Sequence, residues 1–178
     1  MKIHKRVLWI THTAIYIALL LVAQAVLKAL GQYVLGIVVN LILIVSVTVA
    51  GILSGITVAM FSPLLAFFLG FGPALPQIVP VVILGNISLV LIWGLITRKT
   101  ERRHALFWVA AIAAAALKFI ILWIGVVKIA IPLLGLPEKQ VTVLTAAFSY
   151  PQLITATAGG ILASMILPVL LRVIKKPE

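Results

Sequence analysis

Cysteine and acidic side chains are what this chain lacks most clearly. It contains no cysteine, so disulfide bonds, thiolate metal ligands and thiol nucleophiles are excluded. Aspartate does not occur either, and the 3 acidic residues are Glu101, Glu138 and Glu178. None of them falls within a long apolar stretch, so neither an internal ion pair nor a carboxylate relay for protons or sodium is expected there.

Recognised catalytic patterns are also absent from the sequence. His4, His12 and His104 are not at metal-ligand spacing, and neither an HExxH helix nor a GxSxG turn occurs. We therefore predict that the chain is not an enzyme and that it uses no cofactor and no metal.

The chain instead contains long apolar stretches. Its residues are 64% hydrophobic and 10% charged, with a mean hydropathy of +1.32, whereas soluble domains are about half apolar and about a quarter charged. Long apolar stretches joined by short links with Gly and Pro are typical of membrane helices, because barrel strands give shorter, alternating segments. The predicted class is an all-α integral membrane protein.

The apolar stretches predict a bundle of six transmembrane helices in a single domain, residues 1–178. Residues 132–172 are too long for one crossing, so we expect Pro137 and Pro151 to bound a cap or re-entrant segment at 138–149 on the outer side. The predicted helices are 7–30, 34–50, 55–70, 78–97, 105–130 and 151–171.

The positive charges predict how these helices are oriented. The net charge is +11, and ten of the 14 Lys and Arg residues lie at ends of apolar stretches. Such flanks mark the cytoplasmic side, so both termini are predicted to lie inside the cell, and no nucleic acid is needed to explain the charge. The clusters are Lys2, Lys5 and Arg6; Arg98, Lys99, Arg102 and Arg103; and Arg172, Lys175 and Lys176. Trp9, Trp93 and Trp108 are expected in the aromatic belt of that side.

The first helix carries two different faces. Its small residues recur along one stripe of a helix that turns about 100° per residue, and Gln24 and Lys28 share a neighbouring stripe. The stripe of small residues, which we call the alanine stripe, consists of Ala14, Ala18, Ala25 and Ala29. We interpret the helix as both a docking surface and a wall of a buried polar site, because a helix that only anchors in lipid needs neither feature.

Lys118 is the sharpest anomaly, because it falls near the middle of the fifth predicted helix. A charge at that depth costs about 3 kcal/mol or more, so it needs a partner. One interpretation is a structural lysine held by backbone carbonyls, Asn40 or Asn86; the other is a role in binding or transport. The predicted outer side carries more lysines than acids, which favours an anionic or neutral polar ligand over a cation.

Polar residues near Lys118 and at the outer helix ends are the candidates for substrate binding. Several have ordinary alternatives: lysines near helix ends reach headgroups, amides bond between helices or belong to loops, and Trp123 can face lipid. The candidates are Gln24, Lys28, Gln32, Asn40, Gln77, Asn86, Lys118, Trp123, Tyr150 and Gln152.

The pattern as a whole resembles a known family. The Ala14-x-x-x-Ala18 motif, the stretches GQYVLGIVVNLILIVSV and SPLLAFFLGFGPALPQIVP, and the six-helix length are similar to substrate-binding S components of energy-coupling factor (ECF) vitamin transporters. The resemblance implies a subunit of a bacterial plasma-membrane importer that binds a vitamin or related micronutrient on the outer side. It also implies that Ala14 and Ala18 dock on a transmembrane T component, which works with two ATPase subunits.

Two other classes of function remain open. In one, copies of the chain assemble into a channel or pore for small anions, with Lys118 lining the conduit. In the other, the chain is an intramembrane enzyme or a scaffold, since the absence of a motif is weak evidence. The ligand itself, and whether residues 138–149 close over it, are left undecided by the sequence.

Overall fold

The computed structural model describes residues 2–73, 75–97 and 105–174. Within these ranges most residues are helical and none is in a strand, which confirms the predicted all-α class. The basic cluster at 98–103, the lysines at 175 and 176, and two of the three glutamates lie outside the described residues.

Eight α-helical segments follow one another along the described ranges. Short 3-10 turns stand at Lys28–Leu30 and Pro76–Ile78, and a π-helical segment, Trp123–Ala130, carries α5 directly into α6. The helices are α1 Lys2–Leu27, α2 Gln32–Ala50, α3 Ile52–Phe68, α4 Val79–Thr97, α5 Ala105–Leu122, α6 Ile131–Leu134, α7 Glu138–Ala147 and α8 Tyr150–Ile174. The segment expected as a cap is therefore a separate short helix, α7.

The helices are long and apolar enough for a multi-pass membrane protein. Within the described ranges, five helical stretches reach the length and hydropathy of a membrane span, and α3 is a shorter apolar helix of 17 residues. At about 1.5 Å per residue, α3 is roughly 25 Å long, a little less than a hydrocarbon core of about 30 Å. The five stretches are Arg6–Leu30, Gln32–Ala50, Pro76–Thr97, Ala105–Leu134 and Glu138–Val173.

The core lies between α2, α4, α5 and α8, which pack side by side, while α3 packs on α4 and α1 packs on α2 and α3. Its side chains fill the half of the bundle towards the predicted inner ends. Fully buried members include Leu43, Ile44, Leu89, Val90 and Ala114. This half of the bundle is therefore filled by side chains, and the open space lies in the other half.

Small residues let the central helices approach closely. A Cβ atom added at Gly159 of α8 would lie 2.8 Å from the carbonyl oxygen of Ile37 on α2, and one at Gly160 would lie 2.7 Å from the Cβ of Ala111 on α5. Such contacts are typical of packing between membrane helices, where small residues replace a hydrophobic driving force. They place α2 and α5, which carry the deep polar residues, against a common helix.

The expectation that Trp93 belongs to the interfacial belt is wrong. Trp93 is fully buried, its Nε1 donates a hydrogen bond to Thr48 Oγ1 at 2.9 Å, and its ring stacks on Phe107 with centroids 5.8 Å apart. A buried indole needs a partner for its N–H, and Thr48 on α2 supplies it. Trp93 is a core residue that ties α4 to α2 and α5.

Candidate binding site

Three helices meet at one polar cluster in the middle of the bundle. Lys118 of α5 is 3% exposed, and its Nζ donates hydrogen bonds to Oδ1 of Asn40 on α2 at 2.6 Å and to Oδ1 of Asn86 on α4 at 2.7 Å. Both asparagines are buried as well. The deep amides are thus the partners of the lysine, as the structural interpretation of Lys118 expects; we call these three residues the lysine–asparagine cluster.

The local backbone fixes the direction of one of these amides. Asn40 Nδ2 donates to the carbonyl oxygen of Gly36, one turn earlier on α2, at 2.8 Å. Because the NH₂ group is held there, the oxygen of the same amide is turned towards Lys118. The cluster is therefore preorganised to accept hydrogen bonds from an ammonium group.

The cluster solvates the lysine but does not neutralise it. The asparagine side chains carry no charge, and within the described ranges the one acidic residue, Glu138, is exposed at the start of α7. A buried charge without a partner of opposite sign is destabilising even when it is hydrogen-bonded. When Lys118 is protonated, the site thus has a positive centre that an anion can compensate.

A cavity of about 350 Å³ reaches this cluster from the predicted outer end of the bundle. Along α2 it extends from Gln32 to Asn40, eight residues or about 12 Å at the helical rise. Its polar lining consists of Gln24, Gln32, Asn40, Ser62, Asn86, Lys118 and Gln152, and its apolar lining includes Leu35, Val39, Phe71, Val82, Leu122, Val143, Leu144 and Phe148. The polar groups thus stand at the bottom and the mouth, with apolar walls between them.

Helix α7 forms the roof of the cavity. Its apolar side chains Val141 and Leu144, together with Phe148, pack on a second buried cluster that consists of Ile78, Val126 and Ile131. At its end, the carbonyl oxygen of Ala147 accepts hydrogen bonds from Nε2 of both Gln32 and Gln152, at 2.5 and 3.0 Å. The first residue of α2 and the first turn of α8 therefore hold the end of α7 in place.

Replacing Gln32 and Gln152 together by methionine is expected to loosen α7. Each lost hydrogen bond is worth about 1 kcal/mol, so amide exchange across 138–149 should accelerate roughly 5- to 30-fold. Hydrogen–deuterium exchange of the protein in detergent, read by mass spectrometry, measures this change.

Gln24→Met is the matched control for that experiment. Gln24 also lines the cavity, but its Nε2 donates to Leu20 of its own helix at 3.3 Å, so exchange in α7 should not change. Unaltered exchange in the double variant would show that apolar packing alone holds α7.

Six of the ten residues predicted from the sequence line the cavity. They come from five different helices and are Gln24, Gln32, Asn40, Asn86, Lys118 and Gln152. The structure therefore brings together residues that are up to 128 positions apart (152 − 24).

The other four predicted residues lie outside the cavity. Lys28 donates from Nζ to the carbonyl oxygen of Gly70 at 2.9 Å, which ties the end of α1 to the loop after α3. Gln77 is exposed in a 3-10 turn, and Tyr150 is 73% exposed with its ring stacked on Phe119. Trp123 is partly exposed, and Lys128 Nζ stands 4.8 Å from its ring centroid.

Sequence reasoning missed the apolar part of the lining. Phe71, Leu144 and Phe148 surround the upper cavity, but an apolar residue is unremarkable in a chain that is 64% hydrophobic. The available signal was the spacing of Val141, Leu144 and Phe148, which predicts that they share one face of a short helical segment.

The residues predicted for docking lie on the outside of the bundle. Ala14 and Ala18 are exposed on α1, whereas Thr13 and Leu20 face inwards and are buried. Thr13 shares a hydrogen bond of 2.8 Å with Ser54 of α3. Within the described residues the alanine stripe is thus left exposed and not buried in the bundle.

The arrangement can hold a small molecule and exclude water from it. Donors converge at the bottom, apolar walls follow, and glutamine side chains stand at the mouth, which is the usual make-up of a ligand pocket. Comparison of the chain with protein-family models, with curated proteins and with solved structures returned no match.

Proposed function

We propose that this chain is the membrane-embedded substrate-binding subunit of an ECF-type importer in a bacterial plasma membrane. It binds an anionic or neutral micronutrient on the outer side and delivers it by association with a T component and two ATPase subunits. The observation that carries the proposal is the lysine–asparagine cluster at the bottom of a roofed cavity. A buried lysine held by two amides at the end of a ligand-sized space is expected of a binding site.

The shape of the open space supports binding rather than conduction. The cavity ends at the lysine–asparagine cluster, and beyond it Ile44, Val90 and Ala114 belong to the fully buried core. A conduit through the chain would need polar or open space along both halves of the bundle. The space in this chain is closed at one end, as in a site that hands over its ligand when the subunit itself changes position.

The outer surface of α1 supports association with a partner helix. Ala14 and Ala18 are one turn apart, and both are exposed in the described part of the chain. Small residues at such spacing let a second helix approach closely in a membrane. Together with the resemblance to S components, this favours docking of the T component on the alanine stripe.

The test is purification of the protein from its source in mild detergent, followed by native mass spectrometry. We expect a small molecule retained by the chain and, in the same preparation, a second membrane protein with two ATPase subunits. Replacing Ala14 and Ala18 by tryptophan should reduce the amount of copurified partner at least tenfold, which corresponds to about 1.4 kcal/mol of binding free energy. The small molecule should stay bound.

Leu19→Trp is the control for the docking variants. Leu19 is 48% exposed on α1 but lies away from the alanine stripe, so the partner should be retained. Recovery of a bare chain without ligand, or of symmetric oligomers that pass anions in liposomes, would contradict the proposed function. Full assembly with both tryptophans in place would contradict the docking surface.

A further inference from the structure

The ligand that fits this cavity must satisfy donors at the bottom. An ammonium group has three N–H donors, and within the described part of the chain two of those of Lys118 are directed to Asn40 and Asn86. Lys118 also lines the cavity. Its remaining donor is therefore available to an acceptor in the open space.

Asn86 adds a second donor beside it. Its Oδ1 accepts from Lys118, and its Nδ2 has no acceptor among the described residues. No fully buried side-chain nitrogen or oxygen in those ranges lacks a hydrogen-bond partner, so this Nδ2 is in contact with the cavity that Asn86 lines. Two N–H groups on neighbouring helices are thus available at the same end of the cavity.

From these groups we infer that the ligand is a small carboxylic acid, bound with its carboxylate at the bottom of the cavity. The carboxylate accepts from Lys118 Nζ and Asn86 Nδ2, and its charge compensates the lysine that the asparagines leave un-neutralised. This deepens the proposed function, on which it rests, by naming the substrate class and its orientation. A carboxylate accepts hydrogen bonds only, and charge-assisted bonds are roughly twice as strong as neutral ones.

The walls define the rest of the acid. Above the cluster the cavity is lined by apolar side chains such as Leu122, Val82 and Leu144, and near the roof by Phe148. Gln32 and Gln152 each use one N–H on Ala147, which leaves each of them one N–H donor and the amide oxygen as an acceptor at the mouth. The body of the acid is therefore apolar, a ring or a short chain, and a polar group at its other end can donate to or accept from the glutamine amides.

Charge outside the cavity acts in the same direction. Lys28, Lys128 and Lys139 are exposed towards the predicted outer end, and Glu138 is the one acidic residue near them in the described ranges. This excess of positive charge attracts anions to the mouth and repels cations. The lysines around the mouth and the lysine at the bottom of the cavity thus both favour an anionic ligand.

The experiment uses a matched pair of probes, 4-phenylbutyrate and its neutral amide 4-phenylbutyramide. Their effect on the thermal unfolding of the ligand-depleted protein in detergent is measured by intrinsic tryptophan fluorescence. We expect the acid to bind at least tenfold more tightly than the amide. Lys118→Met should remove this preference, and Arg172→Met, which removes an exposed basic residue at the predicted inner end of α8, should keep it.

Each outcome decides the inference. Equal binding of acid and amide, a preference that survives in Lys118→Met, or no stabilisation of the unsubstituted protein by the acid would overturn the carboxylate assignment. Because the first and third comparisons use the unsubstituted protein, a misfolded variant does not block the test. A neutral molecule retained in native mass spectrometry would overturn the assignment and leave the proposed function standing. A retained cation would overturn the assignment and the anionic or neutral ligand of the proposed function, and a chain that retains nothing would contradict the binding subunit itself.

Discussion

Replacing Asn40 and Asn86 together by leucine, with Lys118 kept, is expected to be the most damaging change at this site. Both hydrogen bonds to the buried ammonium are lost, and a nearly isosteric apolar group takes the place of each amide. Breaking a buried charged interaction on one side costs about 3–5 kcal/mol. For a chain of this length that corresponds to a fall in melting temperature of roughly 6–20 °C, measured by thermal unfolding in detergent.

Removing the charge of Lys118 as well should restore most of the lost melting temperature. In the triple variant Asn40→Leu, Asn86→Leu and Lys118→Met the charge is gone as well, and an apolar cluster of similar volume remains. Such replacements are often neutral or stabilising in buried sites. If the triple variant melts as low as the double variant, the asparagines stabilise α2 and α4 by packing and not through the lysine.

The lysine–asparagine cluster is also the part of the site that the sequence predicts best. Lys118, Asn40 and Asn86 are strongly polar residues deep in apolar helices, and polar groups at that depth must find one another. Depth along a helix is readable from the sequence, because it depends only on distance from the helix ends. The sequence therefore narrows the partners of Lys118 to Asn40, Asn86 or backbone carbonyls, and the packing selects the two amides.

Whether a residue faces the cavity or the lipid is harder to predict when its helix is apolar on every side. Gln152 lines the cavity, whereas Tyr150, two residues earlier on α8, points outwards and is 73% exposed. Two residues correspond to about 200° of rotation, so one of them must face away. Trp93 was misplaced for the same reason, since α4 has no polar stripe that separates lipid from core.

The roof and the π-helical segment depend on contacts that local sequence does not contain. Helix α7 is held by packing on the 3-10 turn before α4, the π-helical segment and α6, and by hydrogen bonds from Gln32 and Gln152. The sequence predicts a cap between Pro137 and Pro151, but the choice between a cap and a re-entrant segment depends on these long-range partners. The space beneath α7 is likewise a property of the assembled bundle.

The second large effect is expected from Gly159→Ala. Alanine is the better helix former by about 1 kcal/mol, so the substitution would stabilise an isolated or exposed helix. In this bundle the new Cβ would lie 2.8 Å from the carbonyl oxygen of Ile37 and 3.1 Å from the backbone nitrogen of Leu41. Backbone atoms of α2 cannot move individually to relieve this contact. The substitution is therefore destabilising, and we expect the free energy of unfolding to fall by about 1–3 kcal/mol.

The same substitution should also weaken binding, because the added methyl group would stand 2.8 Å from the Cβ of Asn40. Moving α2 away from α8 displaces Asn40 from Lys118, so the preference for 4-phenylbutyrate over its amide should shrink together with the melting temperature. Met165→Ala, at a site on α8 that is 62% exposed, is the control and should change neither. A melting temperature in Gly159→Ala that equals or exceeds that of the unsubstituted protein would show that α2 and α8 are not in this close contact, and the position of Asn40 would then need another explanation.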